Sequence, residues 1–581
     1  MTSRFIHLLA VLFLTWAGSV VAQSNVPDLI FYGGKVVTVD AKFTVTEALA
    51  IKQGKILAVG DNDDVLPLGK PGTKLIDLHG KMLLPGLIDS HVHPGAAMTE
   101  FDHPIPDMET IQDVLDYVAV RAKVVPEGDW IQLQQVFITR LKEQRYPTRE
   151  ELDRVAPKHP IYFRTGPDAM LNTLALKLSG IDRDFTVKDG GPGYLEKDAS
   201  GEPTGLLRGI TRYAKVRSSG KSPTEADTYS RTLELFRGYN EIGITAVGDR
   251  GANQASLERY QKMRDKGDLT VRLALSHTFP TIGSMDKILA AIDQIGEHPL
   301  RADNPWVHLI GTKIWLDGGM LTGSAYMLQP WGKSEMYGIT DSAYKGVLNV
   351  PRDQLLQMVR RAAKHGLQFT AHSVGDGAVE TLMSVYEEVN REQSIKDLRL
   401  CVTHSNFMTH DAIAKAAKLG VVVDIQPAWL YLDTRTLVKQ FGYDRLRYFQ
   451  PLGSLFASGV IAGGGSDHMQ KIGSLRSINP YNPFLGMWVT ITRSAKWYDG
   501  QLHPEEALTR EQAIQFYTRN NAHLLFWEDE LGSLEPGKRA DFIIVDRDLL
   551  TCPINDLKDT QVLQTWVEGK QVYKKQIESL K

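Results

Sequence analysis

Cysteine and surplus charge are both scarce in this chain, and their scarcity excludes several classes of protein. Two cysteines among 581 residues rule out a disulfide framework and a cysteine-rich metal site. The 66 basic residues are balanced by 69 acidic ones, so no excess of positive charge is present to neutralise a run of nucleic-acid phosphates. We therefore expect no nucleic-acid partner.

Long apolar runs are also missing, except at the amino terminus. Residues 1–22 begin with one basic side chain, Arg4, and continue through an apolar stretch to the small residues Val20-Val21-Ala22. This order is typical of a secretory signal peptide that is cleaved after about Ala22. The alternative is a membrane anchor, which needs about 20 apolar residues, but His7 and Gly18 interrupt this run. We expect a secreted or periplasmic protein with no stable membrane span after cleavage.

The rest of the chain contains apolar strand-like runs that alternate with helical segments, a pattern that favours a parallel α/β architecture. Eight such strands are predicted, at Leu83–His91, Ile244–Asp249, Thr270–Ser276, Leu309–Asp317, Leu367–His372, Leu398–His404, Val421–Gln426 and Val460–Asp467. Eight strand–helix units indicate a (β/α)8 barrel of the TIM type. Short alternating runs near both chain ends predict a small β-sandwich domain that the two termini build together.

These patterns divide the chain into segments. The gap after His93 is too long for one helix and predicts an inserted subdomain. The predicted segments are a signal peptide at 1–22, the first part of the sandwich at 23–82, the barrel at 83–524 with an insertion at about 96–240, and the second part of the sandwich at 525–581.

Residues that commonly bind metals stand at the ends of the predicted barrel strands: His91, His93, Lys313, His372, His404 and Asp467. Catalytic groups of such barrels gather at the carboxyl ends of the strands, so we expect these side chains to lie together. Residues i and i+2 of a strand face the same way, and two imidazoles on one face suit zinc or a similar metal.

Alternative roles stay open for each of these residues. The histidine pair could be a surface feature, Lys313 could be an ammonium paired with Asp317, and Asp467 could cap the next helix. Alternation along a strand also predicts that Cys401, which precedes His404 at odd spacing, faces the outer helices as an inert thiol.

Two longer motifs extend this pattern: Leu84-Pro85-Gly86-Leu87-Ile88-Asp89-Ser90-His91-Val92-His93 and Gly532-Ser533-Leu534-Glu535-Pro536-Gly537-Lys538-Arg539-Ala540-Asp541-Phe542. With the strand-end residues, they resemble the amidohydrolase superfamily. The segments 147–153 and 201–207, together with Lys313, are similar to its YtcJ-like (amidohydrolase 3) branch, which contains N-substituted formamide deformylase.

The resemblance implies a role for each strand-end residue. His91 and His93 would hold one metal ion, and His372 and His404 a second. Lys313, carboxylated by carbon dioxide, would bridge the two ions as a carbamate. The expected cofactor is Zn²⁺, one or two per chain, with other divalent metals as alternatives. Asp467 would contact the first metal and would act as the catalytic base and then as the acid. Asp317, Arg250 and His468 are weaker candidates for substrate contacts.

The function implied is that of an exported metal-dependent amidohydrolase. It would hydrolyse a C–N bond other than a peptide bond, in a small-molecule amide with an N-acyl or N-formyl group, by means of a metal-activated hydroxide. Alternatives are another hydrolytic reaction on the same metals, such as deamination or ester or lactone hydrolysis, and a catalytically silent binding or regulatory protein. A homodimer is the expected assembly.

Overall fold

The computed structural model describes residues 26–134, 136–217, 221–302 and 304–576. The predicted signal peptide lies outside the described residues. Within them, no helix is both long enough and apolar enough to cross a membrane.

Short strands build the amino-terminal region. They are β1 (Leu29–Tyr32), β2 (Lys35–Val37), β3 (Val45–Thr46), β4 (Ala48–Lys52), β5 (Lys55–Gly60), β6 (Lys74–Asp77) and β7 (Met82–Pro85), with the one-turn helix α1 (Asn62–Val65) after β5. Strands β5, β4, β1 and β6 form one sheet in that order.

The prediction of a single strand at Leu83–His91 is wrong, because the strand is interrupted at Gly86. Strand β7 pairs within the sandwich, and the first barrel strand, β8 (Leu87–Val92), follows it. A Cβ atom at Gly86 would lie 2.2 Å from Oγ1 of Thr245. Only glycine therefore fits where the chain passes from the sandwich into the barrel.

An inserted subdomain follows β8. It contains α2 (Ile111–Ala122), β9 (Ile131–Gln134), α3 (Arg149–Val155), β10 (Ile161–Thr165), β11 (Asp168–Leu171), α4 (Thr173–Ser179), β12 (Tyr194–Lys197) and β13 (Pro203–Arg208). Its strands form a separate sheet in the order β12-β13-β11-β10-β9. The next helix, α5 (Glu225–Glu241), packs its buried Leu235, Phe236 and Tyr239 into the large core of the barrel.

The barrel continues with seven further strands and their helices. These are β14 (Ile244–Ala252), α6 (Gln254–Lys266), β15 (Arg272–Thr278), α7 (Met285–Gly296), β16 (Val307–Trp315), α8 (Arg352–Lys364), β17 (Gln368–Ser373), α9 (Asp376–Glu392), β18 (Cys401–His404), α10 (His410–Leu419), β19 (Val422–Ile425), α11 (Pro427–Phe441), α12 (Leu452–Ala457), β20 (Ala462–Gly464), α13 (Pro483–Thr492), α14 (Arg510–Phe516) and α15 (Arg519–Leu524). Eight parallel strands run in sequence order from β8 through β14 to β20, which confirms the predicted barrel.

The two terminal strands of this sheet meet through backbone contacts beyond their ends. The Asp467 amide donates to the His91 carbonyl at 2.8 Å, and the His93 amide donates to the His468 carbonyl at 2.9 Å. The side-chain amide of Asn521 in α15 also joins the two strands, because it donates to the carbonyls of Ile88 in β8 and Gly464 in β20. The closure therefore brings Asp467 directly beside His91.

One predicted orientation is wrong: Cys401 faces the barrel interior. It packs with Ile88, Ala246 and Ile310, which line the lower interior, whereas its neighbour Val402 packs in the outer core. His404 nevertheless points inward, because its backbone adopts φ of 77° and breaks the alternation. The thiol is still a fully buried core group, and its burial raises the pKa of Cys401 to about 12.

Three carboxyl-terminal strands complete the sandwich: β21 (Phe542–Val545), β22 (Val562–Val567) and β23 (Lys570–Lys574). They join amino-terminal strands in a sheet of order β23-β22-β21-β7-β2-β3, so both chain ends build the domain as predicted. A buried ion pair ties this domain to the barrel, because Arg272 of β15 donates to the Asp541 carboxylate at 2.7 and 3.0 Å.

Candidate metal centre

Four histidine rings form a continuous row across the mouth of the barrel. The ring centroids lie 5.0 Å apart for His93 and His91, 5.0 Å for His91 and His404, and 4.5 Å for His404 and His372. These residues come from β8, β17 and β18 and from the turn after β8. The structure thus brings together all four predicted histidines.

Asp467 joins the row at the end formed by His91 and His93. Its Oδ1 lies 3.1 Å from Nε2 of His93 and 3.4 Å from Nε2 of His91, and the two imidazole nitrogens are 3.1 Å apart. Asp467 caps no helix, since α13 begins far downstream and Asn482 caps it. A backbone φ of 52° turns the Asp467 side chain toward the histidines.

Lys313 lies in the barrel interior, with 1% of its surface exposed. Its Nζ has no hydrogen-bond partner among the described residues, and burial lowers the pKa of its amine to about 8. The alternative pairing with Asp317 is wrong. That carboxylate instead accepts three backbone N–H bonds, from Tyr326, Val374 and Gly375.

Two orienting residues were missed in the sequence, Asp424 and Gln426 beside His91 and His404. Asp424 Oδ1 lies 3.2 Å from Nδ1 of His91, and Gln426 Oε1 lies 2.7 Å from Nδ1 of His404. In each ring this contact engages Nδ1, so Nε2 is the nitrogen that can ligate a metal. The signal in the sequence that could have found them is one carboxylate and one amide in the otherwise apolar segment Val421–Gln426. Both side chains are buried in the structure.

The donor set fits a divalent metal of the zinc type. His91, His93 and Asp467 form one group whose donor atoms all lie within 4.8 Å of one another, and His91, His404 and Asp424 form another. Burial lowers the pKa of His91 and His404 well below the usual value and that of His372 to about 3. These three imidazoles are therefore neutral at ordinary pH, which is the form that ligates metal.

Two of the three weaker candidates, Arg250 and His468, make their contacts inside the protein. Arg250 is fully buried and donates to Ser276, Gln368 and the Ser90 carbonyl. The His468 ring contacts the Tyr239 hydroxyl and backbone carbonyls. Neither residue lines the cavity above the histidines. Asp317 does line it, but its carboxylate is committed to the backbone amides given above.

That cavity has a volume of about 700 Å³. Lys313, Asp467 and the four histidines lie in its wall, and the insertion contributes Phe137 and the tip of the β10–β11 hairpin. Trp429 stacks on His404 with the ring centroids 4.7 Å apart. The arrangement places a cluster of metal-ligand atoms at one side of a mainly apolar cavity.

Comparisons with known proteins agree with this geometry. The model of the family described as "Amidohydrolase family" matches residues 74–573. N-substituted formamide deformylase of Arthrobacter pascens is 28% identical over 94% of this chain and 98% of its own. Putative amidohydrolase YtcJ of Bacillus subtilis is 25% identical over 94% of this chain and 99% of its own. The crystal structure of an uncharacterized metal-dependent hydrolase from Pyrococcus horikoshii superposes with a TM-score of 0.65 at 21% identity, covering 91% of this chain and 99% of that one.

Proposed function

The chain belongs to the amidohydrolase family, and from this membership we propose that it is a zinc-dependent hydrolase of C–N bonds in N-acyl or N-formyl compounds. The observation that carries the proposal is the convergence of Asp467 Oδ1 on the two imidazole nitrogens of His91 and His93, at 3.4 and 3.1 Å. A carboxylate at this position can exchange a proton with a water or substrate molecule that is bound beside the two histidines.

We assign His91, His93 and Asp467 to one metal ion and His372 and His404 to a second. When bound, the metal would acidify water and polarise the carbonyl group of the substrate. The orienting contacts of Asp424 and Gln426 support this assignment, because metal-ligating histidines usually donate their second ring nitrogen to such a group.

Lys313 would bridge the two positions as a carbamate. A protonated lysine cannot ligate a metal, whereas a carbamate provides two anionic oxygens. Two features of this residue support the modification. Its amine has no hydrogen-bond partner among the residues described, and its lowered pKa makes the neutral, nucleophilic form accessible.

Asp467 would move the proton that the reaction requires. Water adds its oxygen to the carbonyl carbon of the substrate, and its proton passes to the Asp467 carboxylate. The C–N bond then breaks as Asp467 returns the proton to the leaving nitrogen. The products are a carboxylic acid, formic acid in the case of an N-formyl substrate, and an amine, and the acid then loses its remaining proton to water to become the carboxylate. Without this proton transfer the nitrogen would have to leave as an anion.

The first test is metal analysis and turnover of the purified protein with N-benzylformamide. We expect about two zinc ions per chain and release of formate. Asp467→Asn should lose at least 100-fold in kcat, while Asp411→Asn, an exposed change on α10, should leave kcat unchanged. Equal turnover in Asp467→Asn would contradict the proposed mechanism. Release of ammonia from a ring amine, with formamides untouched, would assign the site to deamination instead.

We also propose that the protein is exported, on the basis of residues 1–22. Amino-terminal sequencing of protein from the expressing cell should begin at about Gln23. A chain that retains Met1 and stays with the cytoplasmic fraction would contradict export.

A further inference from the structure

Arg164 places a positive charge at the wall of the cavity, and the proposed reaction assigns no role to this residue. It stands on β10 of the insertion and lines the same cavity as Lys313 and Asp467. Its side chain is half-buried, and its Nε donates to the Gly166 carbonyl at 3.0 Å. This internal contact holds the guanidinium at the tip of the hairpin, and no described residue forms a hydrogen bond with its two terminal nitrogens.

The hairpin tip lies close to the loop that follows the strand of Lys313. Arg164 pairs with Ala169 and Thr165 with Asp168, so Gly166 and Pro167 form the turn. Both turn residues line the cavity. The Pro167 ring lies 3.9 Å from the position that a Cβ atom would occupy on Gly319. Arg164 is thereby carried on the sheet of the insertion, at the cavity wall beside the loop that contains Gly319.

No acidic side chain compensates Arg164 among the described residues. Asp168, at the base of the same turn, is buried and already bound by Arg208 and the Gly209 amide. The two carboxylates that line the cavity are also committed. Asp317 accepts three backbone amides, and Asp467 contacts His91 and His93.

Much of the wall of the cavity that Arg164 lines is apolar. The apolar part of the cavity wall is formed by almost fully buried side chains, those of Phe137, Met320, Leu321 and Trp429. Trp315, which also lines the cavity, is 46% exposed, an unusual state for a large aromatic group. An uncompensated guanidinium in apolar surroundings binds a carboxylate more strongly than it would in open solvent.

We propose that Arg164 selects substrates that carry a carboxylate. The preferred substrate would be an N-acyl or N-formyl compound with an apolar or aromatic body and a carboxylate held by Arg164, while its amide carbonyl lies at the histidines. N-acylated aromatic amino acids have this chemistry. This inference rests on the proposed function and adds the substrate class to it.

The test compares two substrates that differ only by a carboxylate, N-formyl-L-phenylalanine and N-formyl-2-phenylethylamine, on the zinc-loaded full chain. We expect the wild-type protein to prefer the first. Arg164→Gln should lower kcat/KM for N-formyl-L-phenylalanine about 10- to 100-fold, mainly through KM, because a charged hydrogen bond is lost. The same variant should change the neutral substrate less than about twofold.

Two further variants act as controls. Arg164→Lys keeps the charge but not the paired geometry, and it should recover part of the loss. Arg154→Gln changes an exposed arginine of the same subdomain and should have no effect on either substrate. An equal loss on both substrates would assign Arg164 to the reaction itself, and no loss on either would remove it from the binding site. Both results overturn the proposal.

A binding measurement separates this proposal from the proposed function. If neither formamide is hydrolysed, calorimetry with 3-phenylpropanoate and 3-phenylpropanamide still tests the anion site. Binding of the carboxylate by the wild-type protein, lost in Arg164→Gln, would support the anion site although the proposed reaction had failed. Carboxylate binding that persists in Arg164→Gln would contradict it.

Discussion

The carboxylate of Asp424 orients the imidazole of His91 across the barrel interior. Asp424 belongs to β19 and His91 to β8, and their side chains are both fully buried, with Oδ1 and Nδ1 3.2 Å apart. The same carboxylate accepts from the Gln426 amide at 2.7 Å and from Thr403 at 3.3 Å. With His91 Nδ1 engaged in this way, its Nε2 is directed toward His93 and Asp467.

Replacing this carboxylate should therefore weaken the metal centre without removing a histidine. We expect Asp424→Asn to lower zinc affinity or kcat/KM about 10- to 100-fold, the usual effect of losing such an orienting group. Competition with a chelator would measure the affinity. The control is Asp411→Asn, whose carboxylate is exposed. Unchanged zinc affinity in Asp424→Asn would show that His91 does not depend on this contact.

Carboxylation of Lys313 should depend on pH in a defined direction. Carbon dioxide adds only to the neutral amine, and burial lowers the pKa of Lys313 from 10.5 to about 8. About a tenth of the amine is then neutral at pH 7, about half at pH 8 and most of it at pH 9. At a fixed concentration of dissolved carbon dioxide, reactivation of metal-free protein by zinc should accelerate accordingly between pH 7 and 9.

Carbon-13 bicarbonate provides the direct measurement. A carbamate resonance should appear in the reconstituted protein and be missing from Lys313→Met, which cannot react. Lys345→Met is a suitable control, since that lysine is not part of the centre. A wild-type spectrum with no carbamate signal and two bound zinc ions would contradict the bridging role.

The ion pair between the two domains should contribute strongly to stability. Arg272 is fully buried and Asp541 is 4% exposed, so Asp541→Asn leaves a buried guanidinium without the carboxylate that it contacts directly, while Glu568 lies 3.7 Å away. We expect a loss of about 3 kcal/mol in the free energy of unfolding, because removing one partner of a buried pair leaves the other uncompensated.

Denaturant unfolding of Asp541→Asn tests this. The exposed pair of Lys158 and Glu127 has side chains 66% accessible on both sides, and Glu127→Gln should be indistinguishable from the wild type. A small effect in Asp541→Asn would mean that Glu568 or solvent satisfies Arg272 in its place.

The passage from sandwich to barrel should not tolerate a side chain at residue 86. A Cβ atom there would meet Thr245 Oγ1 at 2.2 Å and Cγ2 at 2.6 Å. We expect Gly86→Ala to destabilise the protein by about 1–3 kcal/mol, as overpacking of a buried site does. Thermal unfolding measures this, and Thr245→Ala in the same chain should restore part of the loss. A neutral Gly86→Ala would contradict the close approach.

Three features can be predicted from the sequence without the structure: the barrel, the sandwich built from both termini, and the positions of the metal-ligand candidates. Each of these follows from local patterns, since alternation and strand–helix spacing depend on a few neighbouring residues. The six strand-end residues can be predicted to lie together, because the ends of parallel strands meet at one edge of a barrel.

Contacts between distant segments, and side-chain orientations that depend on a single backbone angle, are visible only in the tertiary structure. The contacts of Asp424 with His91 and of Arg164 with the cavity join residues far apart in the chain. Cys401 and His404 face the same interior because one residue adopts φ of 77°, which no alternation rule anticipates. Asp317 binds backbone amides rather than Lys313 because a folded loop supplies them at the required distance.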